Sequence, residues 1–283
     1  MRSEAEFEPI AIRKEAGLGH RFSIHALFLC SASTCLAANM GCRAGAPVLT
    51  EPNLTLGKAI LLPGITNFMQ ELSPFVTMLR EAHPQLSIEL RRWGPAFRPF
   101  HNLFSEPANR RRAAELAEEI ADYRRKNPHH PVYLLGYSGG GAMAVFIVEA
   151  LPEDVSIDRL ILLAPAVSQS YPVVEKIMPK IRDFAVVYAS RLDAPVGVGT
   201  RLLGTLDRKW ERSAGSRGFC DKHDRLVQVD WNPTALRKRH FGNHASYMSR
   251  AWQREYLLPA FDPAGTTDVF RSLGNHRRTT EDE

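Results

Sequence analysis

Short, continuously apolar runs alternate with helix-patterned segments from about residue 54 to residue 261, and this alternation constrains the fold more than anything else in the chain. KAILLPGI (58–65), LSIELRRW (86–93), VYLLGYS (132–138), IDRLILLAPAV (157–167), FAVVYAS (184–190) and RLVQVDW (225–231) read as strands. Between and after them, SPFVTMLREAH (73–83), ANRRRAAELAEEIADYRRK (108–126), GGAMAVFIVEAL (140–151), PVVEKIMPKI (172–181) and ASYMSRAWQREYLLPAF (245–261) read as helices. A strand that is apolar along its whole length has no face to give to water. Strands of that kind separated by helices predict an α/β fold, a mostly parallel central sheet with helices on both faces. No internal repeat or second domain interrupts the pattern, so one domain is expected over 54–262. Residues 263–283 are expected to be a C-terminal tail whose polar end, GNHRRTTEDE, frays.

The N-terminus is different in kind. Residues 22–38, FSIHALFLCSASTCLAA, carry no Asp, Glu, Lys or Arg and follow Arg13, Lys14 and Arg21. That order fits a bacterial export signal over residues 1–46. Two exits fit: cleavage after Ala46, on the small residues Ala44 and Ala46, or lipidation of Cys42, although Asn39 and Met40 depart from the usual small residues before a lipidated cysteine. A spanning anchor is the rival reading; the stretch is short for one and contains His25. The expected location is therefore periplasmic or envelope-associated, with membrane association through the N-terminus. Cys30 and Cys35 would leave with the signal, so Cys42 and Cys220 give neither a disulfide framework nor a metal-binding pair.

The net charge of +5 permits an anionic partner, but 36 Lys and Arg are interspersed with 31 Asp and Glu. The densest basic cluster, Arg110 to Arg112, opens a predicted helix and is followed by Glu115, Glu118 and Glu119. It reads as a solvated helix face, and no nucleic-acid partner is expected.

The stretch LLGYSGGGAM (134–143) sits where a strand meets a helix. Each glycine there costs backbone entropy on ordering, so the cluster implies that something needs the space. GxSxG at such a junction is the nucleophile elbow: Gly136, Tyr137, Gly139 and Gly140 surround Ser138, which projects from a strained turn at the carboxyl edge of the sheet. The Gly139 amide, at the helix start, can donate to a developing oxyanion.

On these residues the chain resembles the α/β-hydrolase superfamily over roughly 54–262, as a serine esterase or lipase-like member. The resemblance implies a second oxyanion donor after the first strand, in LLPGITNF (61–68), at the backbone of Gly64 or Ile65. It also implies the chain order serine, acid, histidine. Asp193, just after the FAVVYAS strand, stands where the family carries its acid, with Asp207 as main rival and Asp221 and Asp224 behind. His244, between the last strand and the final helix, stands where the family carries its base, with His240 as the alternative if the loop folds differently. His83, His101, His129 and His130 need no catalytic explanation.

Two loops could shape a substrate site. The aromatics of 93–107 (Trp93, Phe97, Phe100, Phe104) either line an acyl pocket or staple a surface loop. Segment 194–218 is either a mobile flap or a compact Ω-like loop. Only about one helix fits between 167 and 184, so no bulky cap is expected. The expected function is cleavage of a carboxylic ester, with lipid, thioester and peptide substrates as neighbours, through an acyl-enzyme on Ser138, with no metal and no organic cofactor. The alternatives are a non-catalytic hydrolase-like scaffold that binds a ligand or partner, and an acyltransferase on the same fold.

Overall fold

Six strands run in one direction through the middle of the protein. They are β1 (Lys58–Leu62), β2 (Ser87–Leu90), β3 (Val132–Tyr137), β4 (Ile157–Leu163), β5 (Ile181–Ala189) and β6 (Leu226–Asp230), in the spatial order β2-β1-β3-β4-β5-β6, every neighbouring pair parallel. The computed structural model describes residues 57–262 and residue 270. Residues 1–46, with the expected export signal, Cys42 and Ala44 to Ala46, and the polar end of the tail lie outside the described residues.

Side-chain alternation along the strands sorts the core into two layers. Ile60, Leu62, Leu134, Leu160, Leu162 and Val187 face the layer built with helices α2 (Glu106–Lys126) and α3 (Gly139–Ala150). Leu61, Tyr133, Leu135, Tyr137, Leu163 and Tyr188 face the other, built with α1 (Ser73–Ala82) and the C-terminal segment. Both faces are covered, which is why the strand centres are apolar, with the polar residues confined to strand ends and to the edge strands β2 and β6. Helix α3 is buried at every residue from Gly139 to Val148. Full burial of Phe146 or Ile147 contributes about 1.5–3 kcal/mol each. Beyond residue 262, Phe270 is buried and packs on Phe184 with ring centroids 5.3 Å apart.

Two expected helices are broken. The segment 172–181 forms one turn, Val173–Lys176, then a 3-10 turn, Met178–Lys180. Pro179 cannot donate a helical hydrogen bond, and β5 begins directly afterwards at Ile181. The expected final helix is a chain of short pieces: 3-10 turns at His244–Met248 and Leu258–Phe261 flank an α-turn, Arg250–Trp252, and a π-turn, Gln253–Leu257. Ser249, extended and donating its hydroxyl to the Lys238 carbonyl, interrupts it, and Pro259 interrupts it again. Tertiary packing sets this path, since Tyr247, Trp252 and Tyr256 stack along it and the Tyr188 hydroxyl donates to the Tyr256 carbonyl.

The basic cluster at the start of α2 is not purely a solvated face. The Arg110 guanidinium lies 3.7 Å from the Phe146 ring centroid and pairs with Glu149, so Arg110 docks α2 onto α3. Among the described residues no helix is long and apolar enough to cross a membrane.

Candidate active site

The strand order creates the site. From β1 the chain moves outward to β2 and then returns to place β3 on the other side of β1. The turns after β1 and β3 therefore diverge at a switch point, and open α/β sheets bind ligands at such crevices. Ser138 follows β3 with φ 56° and ψ −119°, a conformation rare for a residue with a side chain. Its surroundings hold it there: its amide donates to the Leu163 carbonyl at 2.8 Å, and its carbonyl accepts from the amides of Gly141 and Ala166 at 2.9 and 3.0 Å. Ser138 is 7 % exposed.

The glycines around it are required by close approach. A Cβ on Gly136 would lie 2.3 Å from the Gly140 carbonyl oxygen, and one on Gly140 would lie 2.3 Å from the Pro63 carbonyl oxygen. Gly141, which the pentapeptide does not include, would meet Pro165 at 2.8 Å. A Cβ on Gly139 would sit 3.1 Å from the Ile65 amide nitrogen, so the start of α3 and the turn after β1 are in van der Waals contact.

That turn is strongly braced. Trp93 is buried and its indole donates to the Pro63 carbonyl at 2.8 Å. The Asn102 amide donates to the carbonyls of Ile65 and Pro95, and the Asn67 carbonyl oxygen accepts from the Trp93 amide at 2.9 Å. The aromatic loop after β2 thus divides its labour. Trp93 joins the core and fixes the turn, while Phe97, Phe100 and Phe104 are exposed.

The Gly64 amide is engaged: it donates to Glu71 Oε1 at 2.8 Å. That amide is therefore already committed, and of the two expected after β1 the Ile65 amide is the remaining candidate. Burial pushes the Glu71 carboxyl up to about 7, against the Gly64 hydrogen bond and the His244 charge, which pull it down. Glu71 is the site group that the sequence does not reveal. A single glutamate in MQEL carries no motif, and its burial depends on the turn closing over it.

His244 and Asp193 come together from loops after β6 and β5, with His244 Nδ1 2.7 Å from Asp193 Oδ2. Asp193 is fully buried, its second carboxylate oxygen accepting from the Val196 amide at 3.4 Å. The His244 loop is set by Asn243, which caps the following turn by accepting from the Ser246 amide at 3.0 Å. Tyr137, the residue before Ser138, stacks on the His244 ring at 4.9 Å and donates its hydroxyl to the His244 carbonyl at 3.0 Å. The elbow and the histidine loop therefore share one contact. With Nδ1 facing Asp193, the His244 ring presents Nε2 as its other nitrogen.

The rival residues are placed elsewhere. His240 is 1 % exposed, boxed by the rings of Tyr247 and Trp252, and burial pushes it down to about 4. It is a neutral core residue whose Nδ1 accepts from the Gly242 amide. Asp207 accepts from both the amide and the hydroxyl of Ser168, and Asp221 accepts from the Val174 amide, so both brace loops. Segment 194–218 is compact: Ser213 and Thr200 hydroxyls both donate to the Val196 carbonyl at 2.6 Å. Among the described residues no group of three or more His, Cys, Asp or Glu could hold a metal ion.

An all-parallel sheet with a strained serine between its third strand and a fully buried helix, and a loop aspartate paired with a late histidine, defines an α/β-hydrolase architecture. A profile of the serine aminopeptidase S33 family matches residues 110–228, a span that contains Ser138 and Asp193 and ends before His244. The chain has the α/β-hydrolase fold, and the matched span lies within it. No curated protein matches it. Similar solved structures include a protein described as a cell surface hydrolase from Lactobacillus plantarum WCFS1, at 15% identity and TM-score 0.44, covering 77% of this chain and 96% of that one. Esterase PE8 is similar at 16% identity and TM-score 0.43, covering 75% and 98%. A carboxylesterase from Mesorhizobium loti is similar at 15% identity and TM-score 0.38, covering 71% and 89%.

Proposed function

We propose that this hydrolase-superfamily protein cleaves carboxylic esters through an acyl-enzyme on Ser138, with His244 as base and Asp193 as its orienting acid. The observation that carries the reading is the 2.7 Å His244–Asp193 pair held against the residue that precedes a strained serine. In this mechanism His244 Nε2 takes the hydroxyl proton as Ser138 Oγ attacks the ester carbonyl carbon. The carbonyl oxygen gains the negative charge and receives hydrogen bonds from the Ile65 and Gly139 amides. When the tetrahedral intermediate collapses, the bond to the leaving oxygen breaks and His244 returns its proton to the departing alcohol. Water then repeats the sequence on the acyl-enzyme, releasing the acid. Asp193 holds the imidazole tautomer and stabilises the imidazolium throughout.

The test is the mass of the intact protein after treatment with a fluorophosphonate, alongside turnover of short-chain p-nitrophenyl esters. One adduct that is absent in Ser138→Ala, with turnover lost in the same variant, is the expected outcome. A folded protein that forms no adduct and turns over no ester would replace this reading with a ligand-binding scaffold. The matched family's name favours one rival, an N-terminal peptide bond as the scissile bond. Faster release from aminoacyl p-nitroanilides than from esters would select it. The export reading of residues 1–46 is proposed with this function, as an envelope enzyme.

A further inference from the structure

Every large hydrophobic side chain that is exposed among the described residues stands on one of three connections that leave strands, some on short helical turns within them. Three follow β2 (Phe97, Phe100, Phe104), four follow β5 between Leu192 and Trp210, and two follow β6 (Leu236, Phe241). Because all six strands are parallel, these loops leave the same edge of the sheet, the edge that carries Ser138. Helices α1, α2 and α3 expose none. Isolated exposed apolar residues are ordinary, but their confinement to one edge is a signal of contact with something.

The same loops concentrate positive charge. Residues 91–105, 190–218 and 231–249 contain twelve Arg and Lys and three Asp and Glu, a net of +9 within a chain whose total is +5. The three acids are already occupied, Asp193 on His244, Asp207 by Ser168 and Glu211 by Ser170, while of the cations Arg91 pairs with Glu119 and Lys238 with Glu255 outside these segments. Cations and rings are interleaved in space. The Arg208 guanidinium lies 4.9 Å from the Phe104 ring centroid and 4.8 Å from that of Trp210, joining the β2 loop to the β5 loop. Arg191, Arg201 and Arg212 line a cleft of about 230 Å³ together with Leu192 and Val198.

We infer that this edge docks on an anionic phospholipid surface, with Phe104, Leu202 and Trp210 entering the interface and the loop arginines meeting the lipid phosphates. Apolar and aromatic tips on a cationic bed complement a bilayer interface, where acyl chains and phosphates lie within a few ångströms of one another. The inference goes beyond the ester reading and stands without it. If that reading holds as well, the docked surface presents esters from the membrane to Ser138.

The full-length chain is mixed with vesicles of phosphatidylcholine alone or with added phosphatidylglycerol, and binding is followed by cosedimentation and tryptophan emission. Binding is expected to the anionic vesicles only and to weaken with salt. The emission is expected to shift to the blue, and the shift to vanish in Trp210→Phe while binding is retained. A Leu202→Asp, Trp210→Asp double variant, with an unchanged circular dichroism spectrum, is expected to lose affinity by on the order of tenfold or more. Ser138→Ala is expected to bind as the wild type, which separates failure of docking from failure of the catalytic reading. Equal binding to both vesicle types, or binding that the double variant retains, would assign adhesion to the N-terminal apolar stretch and overturn the inference. Absence of vesicle binding, including with retention on a polyanion, would overturn it too.

Discussion

Replacing Glu71 by glutamine tests the site through its linkage to folding. The Glu71 carboxyl rises from an ordinary 4.5 to about 7 in the folded protein, chiefly because it is buried. Between those values the folded state keeps a proton that the unfolded chain has released. Folding is therefore most favoured by this group below pH 4.5, and that contribution is lost as pH rises through the window to about 7. A shift of this size corresponds to about 3 kcal/mol, reduced to roughly 2 kcal/mol for the group's partial exposure. Glu71→Gln keeps the volume and an oxygen to accept from the Gly64 amide but cannot ionise. The neighbouring groups His244, Tyr137 and Asp193 are unchanged in the variant, so their contributions largely cancel in the difference. Urea unfolding followed by tryptophan fluorescence, at several pH values from about 5 to 8, should show the variant gaining about 2 kcal/mol on the wild type across the range. A difference that stays flat with pH would show that Glu71 is solvated and that the turn after β1 is not closed over it.

Two further perturbations separate chemistry from scaffold. Asp193→Asn should fold and lose about three to four orders of magnitude in kcat, because the wrong imidazole tautomer is held. Asp207→Asn should leave turnover unchanged and cost about 1–2 kcal/mol in stability, since Ser168 loses part of its acceptor pair. Equal turnover for Asp193→Asn and wild type would remove Asp193 from the mechanism. Gly140→Ala should destabilise by about 4 kcal/mol or abolish folding, because its Cβ would lie 2.3 Å from the Pro63 carbonyl oxygen; an unchanged Tm would refute the packing of the elbow against the turn after β1.

Strand positions were legible in the sequence because burial on both faces writes itself as apolar runs, as in VYLLGY and the LILL that ends β4. The expected final helix was not legible. Its residues are helix-compatible one by one, but Tyr247, Trp252 and Tyr256 bend the chain to pack under Tyr188, and no local pattern encodes that partner. Loop histidines posed the same difficulty. His240 and His244 stand four residues apart in similar polar surroundings, and only the fold puts one among aromatic rings and the other on a carboxylate.

Glu71 shows why the chemistry of such a site cannot be read from spacing alone. The turn after β1 needs its amides directed in different ways, and a backbone turn cannot choose between them without an acceptor. Glu71 supplies one, taking the Gly64 amide and leaving Ile65 as the neighbouring donor beside Gly139. A carboxylate is an effective acceptor for this, yet in the proposed mechanism a negative charge beside the oxyanion would oppose catalysis. Burial that holds the Glu71 carboxyl near neutrality relieves the conflict, since the protonated acid still accepts from Gly64 without repelling the oxyanion. Activity should then fall with rising pH more steeply in the wild type than in Glu71→Gln. A glutamine variant with the same pH profile would mean that the charge of Glu71 does not reach the reacting atoms.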